Sequence, residues 1–83
     1  MTDRRVVLVT GGTRGIGAGI ARCFETSGDI VVVCSRRPAE VSAGEHIAAD
    51  VRDPEHVDKL IASIVERHGR LDVVINNAGG GPY

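Results

Sequence analysis

Between Val6 and Gly17 the chain changes its backbone requirements twice. Val6-Val7-Leu8-Val9 is an unbroken apolar run, mostly β-branched. It suits a parallel strand covered on both faces, because apolar–polar alternation disappears when neither face meets water. Thr10-Gly11-Gly12-Thr13-Arg14-Gly15-Ile16-Gly17 follows, with glycines spaced at 11, 15 and 17. A helical pattern then takes over, with Ile16, Ile20, Ala21 and Phe24 on one face. A strand, a glycine turn and a helix start in that order form a cradle for a phosphate group. Backbone N–H groups point into the turn, and the helix N-terminus adds partial positive charge. A side chain at a glycine position would block close approach of a pyrophosphate.

The rest of the chain repeats this alternation. The first helix runs from about Gly15 to near Ser27, with Gly28 as a left-handed cap. Ile30–Cys34 is a second apolar strand, and His46–Ala49 a short third one. The polar loop between them, Ser35–Gly44, has room for one helical turn around Ala39 to Ser42. Asp53-Pro54-Glu55 is a strong helix start, with a capping carboxylate, proline at the first position and an acid in the first turn. Val57, Leu60, Ile61, Ile64 and Val65 continue it as a helical stripe that Gly69 closes. Leu71–Ile75 is a fourth strand, and a glycine-rich tail, Asn76–Tyr83, follows. Alternating strands and helices predict an α/β fold, a doubly wound parallel sheet of about four strands in the order 3-2-1-4. Reversal between the first and fourth strands opens a crevice at their carboxyl ends, where such sheets bind ligands.

Bulk properties exclude several classes. The 83 residues make one small domain. A net charge of −1 provides no pull toward nucleic acid or an anionic membrane. No apolar run reaches the roughly 18 residues of a membrane span, and the first residues do not read as a secretory leader, so none is expected. Cys23 and Cys34, both in apolar segments, read as two buried reduced thiols of a cytoplasmic protein. His46, His56 and His68 lie on polar faces without metal-ligand spacing. Asp58, Lys59, Glu66 and Arg67 read as the solvated face of the second helix, and Asp53 as a cap alone.

The glycine spacing is T-G-G-x-x-G-I-G, not the G-x-G-x-x-G of the standard dinucleotide fingerprint. At this point the chain resembles the short-chain dehydrogenase/reductase family. Asp50-Val51 after the third strand and Asn76-Asn77-Ala78-Gly79 after the fourth match that family in order and spacing. The resemblance covers essentially the whole chain and implies an incomplete Rossmann-type domain over residues 1–83. By resemblance, Gly11, Thr13, Arg14 and Ile16 line the diphosphate and adenosine ribose, while Gly15 and Gly17 allow close approach and helix packing. Asp50 accepts from the adenine amino group, and the Val51 backbone faces a ring nitrogen. Asn77, Ala78 and Gly79 pass beside the ribose toward the nicotinamide, and Asn76 ties neighbouring strands together.

The end of the second strand decides between cofactors. An NAD-preferring site places a carboxylate there to bond the ribose hydroxyls. Here Ser35 stands at that point, followed by Arg36 and Arg37. An arginine pairs with a 2′-phosphate through charge-assisted hydrogen bonds, and Arg14 on the neighbouring turn can close on the same group. The expected cofactor is therefore NADP(H) rather than NAD(H).

The family's catalytic serine and Tyr-x-x-x-Lys pair have no match in this sequence. Its one tyrosine is Tyr83, and its one lysine, Lys59, lies inside the second helix. The chain is expected to be the cofactor-binding part of an oxidoreductase acting on a carbonyl or secondary alcohol, inactive alone. The alternatives are a standalone nucleotide-binding module and a non-functional remnant. The family is often homo-oligomeric, and an apolar fourth strand at a sheet edge is expected to self-associate, leaving the chain poorly soluble or molten-globule-like.

Overall fold

Four strands and two helices alternate along the chain in the computed structural model, which describes residues 3–11, 15–38, 40–41 and 43–77. They are β1 (Val6–Thr10), α1 (Gly15–Thr26), β2 (Ile30–Ser35), β3 (Glu45–Ala48), α2 (Pro54–His68) and β4 (Val73–Asn76). All strands are parallel, in the order β3-β2-β1-β4. This is the 3-2-1-4 arrangement expected from the alternation.

The apolar run of β1 is explained by its two faces. Val6 and Leu8 point into one cluster with Val32, Cys34, Ala49, Leu60 and Ile64, beneath α2. Val7 and Val9 point into the other with Val31, Val33 and Ala21, beneath α1. Both faces are covered, so every β1 residue is buried. The β2–β3 connection contributes cover of its own. Val41 and the buried Ala43 pack on the α1 side, and the Glu25 carboxylate accepts from Gly44 N at 2.6 Å. Ala39 and Ser42, the ends of the helical turn expected there, lie outside the described residues.

The second helix begins as its sequence predicts. Asp53 is extended, its carboxylate accepts from Glu55 N at 2.9 Å, and Pro54 starts the helix. Gly69 ends it in the left-handed conformation, with its N–H on the Val65 carbonyl. Strand β4 starts later than the apolar run suggests. Asp72 takes the place of a ladder residue, its N–H donating to Val6 O at 2.9 Å and its carboxylate accepting from Val6 N at 2.8 Å. Strand β3 starts one residue earlier than expected, at Glu45, paired with Val32.

Three burial expectations are corrected. Cys34 is buried, but Cys23 is exposed. It sits two residues beyond buried Ala21, about 200° around the helix and therefore on the outer face. Ile16 is 78% exposed despite sharing the stripe of Ile20, Ala21 and Phe24. It lies in the first turn of α1, past the end of β1 at Thr10, where no strand among the described residues runs beneath it. Finally, only half of the α2 stripe is covered. Leu60 and Ile64 are buried, whereas Ile61 and Val65 are 39% and 43% exposed. Val74 on edge strand β4, opposite Leu8, is 54% exposed. Helix α2 sits over β1 and β2 and leaves the β4 flank open.

Candidate functional site

Because the strands are parallel and in register, their carboxyl ends meet on one edge of the sheet. Thr10 lies opposite Cys34 on one side and Asn76 on the other, and Ser35 lies opposite Ala48. The Gly11 turn, the Ser35–Arg36 corner, the Asp50–Val51 loop and Asn77 are thereby brought to a single crevice.

The turn is held by its neighbours. Gly11 continues the β1–β2 ladder, its N–H donating to Cys34 O at 2.9 Å. Gly11 and Gly15 have φ of 69° and 62°, a region that side chains strain to adopt. Gly17 is required for a different reason. A Cβ there would overlap the Gly11 carbonyl oxygen and lie 2.6 Å from Asn77 Nδ2. The helix start and the turn therefore approach within backbone distance, and the Asn77 side chain, just past β4, closes against both. Nothing comparable crowds a Cβ on Gly15, so Gly15 contributes conformation rather than clearance.

Thr10 fastens β1 to the edge strand β4, a role its place as the last, hydroxyl-bearing residue of an apolar strand could have signalled. Its Oγ1 accepts from Asn77 N at 2.9 Å and stands 3.2 Å from Asn76 Oδ1 and 3.4 Å from Ile75 O. Asn77 Nδ2 reaches back to Gly11 O at 3.4 Å. Asn76 thus ties β4 to β1, as the resemblance implies.

At the other side of the crevice, Asp50 is half-buried and paired. Arg52 Nε and Nη2 donate to its two carboxylate oxygens at 3.0 Å each, and Arg52 N donates to Oδ1. The Arg52 hydrogen bonds are the main cause that holds the Asp50 carboxyl down at about 2, and Arg36 adds a smaller Coulombic pull. Arg36, at the end of β2, therefore contributes positive charge to the same side of the crevice as Asp50. A carboxylate offers about four lone-pair sites, so the Arg52 pair leaves acceptor capacity for an amino group. Asp50 N donates to His56 Nδ1 at 3.0 Å, which fixes the loop from α2. Neither Arg52 nor His56 stood out in the sequence. The Asp-x-Arg spacing that closes a side-chain turn was the available signal. Val51 is half-buried against the α2-side cluster.

Of the residues singled out from the sequence, Gly11, Gly15, Ile16, Ser35, Arg36, Asp50, Val51 and Asn77 lie around this crevice. Thr13, Arg14, Ala78 and Gly79 lie outside the described residues. Burial pushes the Cys34 thiol up, partly offset by the Gly11 N–H. Among the described residues, no three His, Cys, Asp or Glu side chains group to hold a metal ion, and no helix is long and apolar enough to cross a membrane.

The family model for short chain dehydrogenases matches residues 5–83. The chain belongs to the short-chain dehydrogenase family. Its relatives include L-fucose dehydrogenase from Bos taurus, 45% identical over 85 residues that take in 94% of this chain and 32% of the relative. Among solved structures, the ligand-free aldohexose dehydrogenase of Thermoplasma acidophilum superposes with a TM-score of 0.88 at 36% identity. That match covers 96% of this chain and 31% of the other. An actinorhodin polyketide ketoreductase solved with NADPH superposes with a TM-score of 0.82 at 40% identity, over 93% of this chain and 34% of that one. The chain thus spans about a third of the length of the curated dehydrogenases it matches.

Proposed function

We propose that residues 1–83 form the part of an NADP(H)-dependent short-chain dehydrogenase that binds the adenosine diphosphate and 2′-phosphate end of the cofactor. The observation that carries the choice of NADP(H) is the corner at the end of β2. Ser35 and Arg36 stand where an NAD-preferring chain has a carboxylate, and Arg36 acts electrostatically on Asp50 from the adjoining loop. A carboxylate at that corner would repel a 2′-phosphate, whereas the Arg36 guanidinium pairs with it, joined by Arg14 from the glycine turn. The ketoreductase solved with NADPH supports the same choice.

In this reading each residue has a definite task. Gly17 and the positive φ of Gly11 and Gly15 leave room for the diphosphate against backbone N–H groups, with Thr13 and Ile16 at its rim. Asp50 and Val51 orient the adenine, and Asn77, Ala78 and Gly79 lead the chain past the ribose. The cofactor supplies hydride exchange with a carbonyl or secondary alcohol. This sequence contains no Tyr-x-x-x-Lys pair for the accompanying proton, so the 83-residue chain alone is proposed to bind without turning over. Two free cysteines suit a reducing, cytoplasmic compartment.

Calorimetry with 2′,5′-ADP and 5′-AMP tests the reading directly, because the two probes differ only in the 2′-phosphate. The chain is expected to bind 2′,5′-ADP at least about tenfold more tightly, and Arg36→Ala to remove most of that difference, as the loss of a charge-assisted pair requires. Equal affinity for both probes would end the NADP(H) assignment. NADPH oxidation by the purified chain with any carbonyl substrate would end the claim of inactivity.

A further inference from the structure

One polar contact at the cofactor corner is used neither by the glycine turn nor by the adenine loop. His46, on edge strand β3, lies beside Val33 of β2. Its Nε2 stands 2.7 Å from Ser35 Oγ. The same Ser35 hydroxyl donates to the Arg37 carbonyl at 2.9 Å. A serine hydroxyl carries a single hydrogen, and a carbonyl oxygen can only accept. With that hydrogen on Arg37 O, the imidazole must supply the hydrogen of the shorter contact, so His46 carries a proton on Nε2 and Ser35 Oγ accepts it. A directed chain results, from His46 through Ser35 to the carbonyl of Arg37. It holds both backbone positions that flank Arg36.

We propose that His46 is a positioning residue for 2′-phosphate recognition, fixing through Ser35 the corner that presents Arg36. The inference rests on the NADP(H) reading and goes one step beyond it. Arg36 is exposed and sits at the mouth of a loop, where an unbraced arginine gives up conformational freedom when it binds. Bracing the backbone on either side lowers that loss. The brace is specific in direction: His46 serves as a donor, so a side chain without an N–H at that point leaves the Ser35 oxygen without its partner.

The test uses the same two probes with His46→Phe, His46→Leu and His46→Gln. His46→Phe and His46→Leu are expected to weaken 2′,5′-ADP binding about five- to tenfold, the effect of one lost hydrogen bond, while 5′-AMP affinity stays within about twofold. His46→Gln, whose amide N–H can donate to Ser35, is expected to keep the parent ratio. Binding of 5′-AMP by each variant shows that it has folded, and His46→Leu carries the test if His46→Phe does not fold. An unchanged ratio in His46→Phe or His46→Leu overturns the inference. So does an equal loss for both probes, which marks a general structural role. A parent chain that itself ignores the 2′-phosphate overturns the cofactor reading and this inference with it, and that result is visible before any variant is made.

Discussion

Replacing Gly17 by alanine puts a methyl group where the structure has no room for one. Its Cβ would overlap the Gly11 carbonyl oxygen, with Asn77 Nδ2 at 2.6 Å and the Gly11 carbonyl carbon at 2.9 Å. Ordinary carbon contacts lie at about 3.5–4.0 Å, so helix and turn must part by roughly 1 Å. Such overpacking costs about 1–3 kcal/mol. Alanine returns at most about 1 kcal/mol in helix propensity, leaving a net loss of about 1 kcal/mol. Gly19, two residues on in α1, is the control. A Cβ there meets nothing within 4 Å, so Gly19→Ala is expected to stabilise by about 0.5–1 kcal/mol. The two variants should therefore differ by about 2 kcal/mol, or roughly 8–16 °C in Tm for a domain of this size. Thermal melts followed by circular dichroism measure the difference. They are best run at low micromolar concentration in a Val74→Lys background, whose charged edge keeps chains apart. Calorimetry should in addition show Gly17→Ala losing at least about tenfold in 2′,5′-ADP affinity, or about 1.4 kcal/mol, with Gly19→Ala near the parent value. If the two alanine variants melt together and bind alike, the close approach of helix, turn and Asn77 is not what Gly17 serves.

Four further outcomes follow from burial and charge. Ile64→Ala, at a fully buried site, is expected to cost about 2–5 kcal/mol, against less than about 1 kcal/mol for the partly exposed Ile61→Ala, measured by urea unfolding. A thiol reagent should label Cys23 at once and Cys34 only as the chain unfolds, since Cys34 is buried and its thiol pushed up; fast labelling of both would contradict the packing. The Asp50 carboxyl, held at about 2 below its ordinary 3.8, contributes stability that is present above 3.8 and lost as pH falls through about 2. In an NMR titration Arg52→Ala should move the Asp50 midpoint upward toward 3.8. Val74→Lys should shift the chain toward monomer in size-exclusion chromatography, because it charges an exposed apolar strand edge; an unchanged elution would place association elsewhere.

Much of this architecture was readable because local signals agreed. The β1 run, the glycine spacing and the Asp53-Pro54-Glu55 cap each predict an element, and together they leave little choice but a parallel sheet with helices on both faces. What escaped reading depended on relations between distant residues. Ile16 fits the helical stripe, yet its burial depends on whether β1 extends beneath the first turn, and periodicity carries no such information. Cys23 sits in an apolar segment, but its exposure follows from helix phase relative to Ala21. At the site, glycines and the Arg36 corner could be chosen by chemistry alone. His56 and His46 could not, because each acts by meeting a residue placed by another element, whereas Arg52 offered only the local Asp-x-Arg spacing. Thr10 is the middle case: its hydroxyl was visible in the sequence, and its partners at Ile75, Asn76 and Asn77 were 65 or more residues away.

That separation also orders events in time. The hydrogen bonds of Thr10 to Asn76 and Asn77 close a loop of 66 and 67 residues, while β1, α1 and β2 are neighbours in sequence. Long loops close slowly, since their entropy is lost before any contact repays it. The first three elements can therefore assemble before β4 arrives, and the wall of the crevice formed by Asn77 is the last to be set. A ligand that spans Gly11 and Asn77 would act as a latch on that final strand, and its binding would report whether β4 has docked.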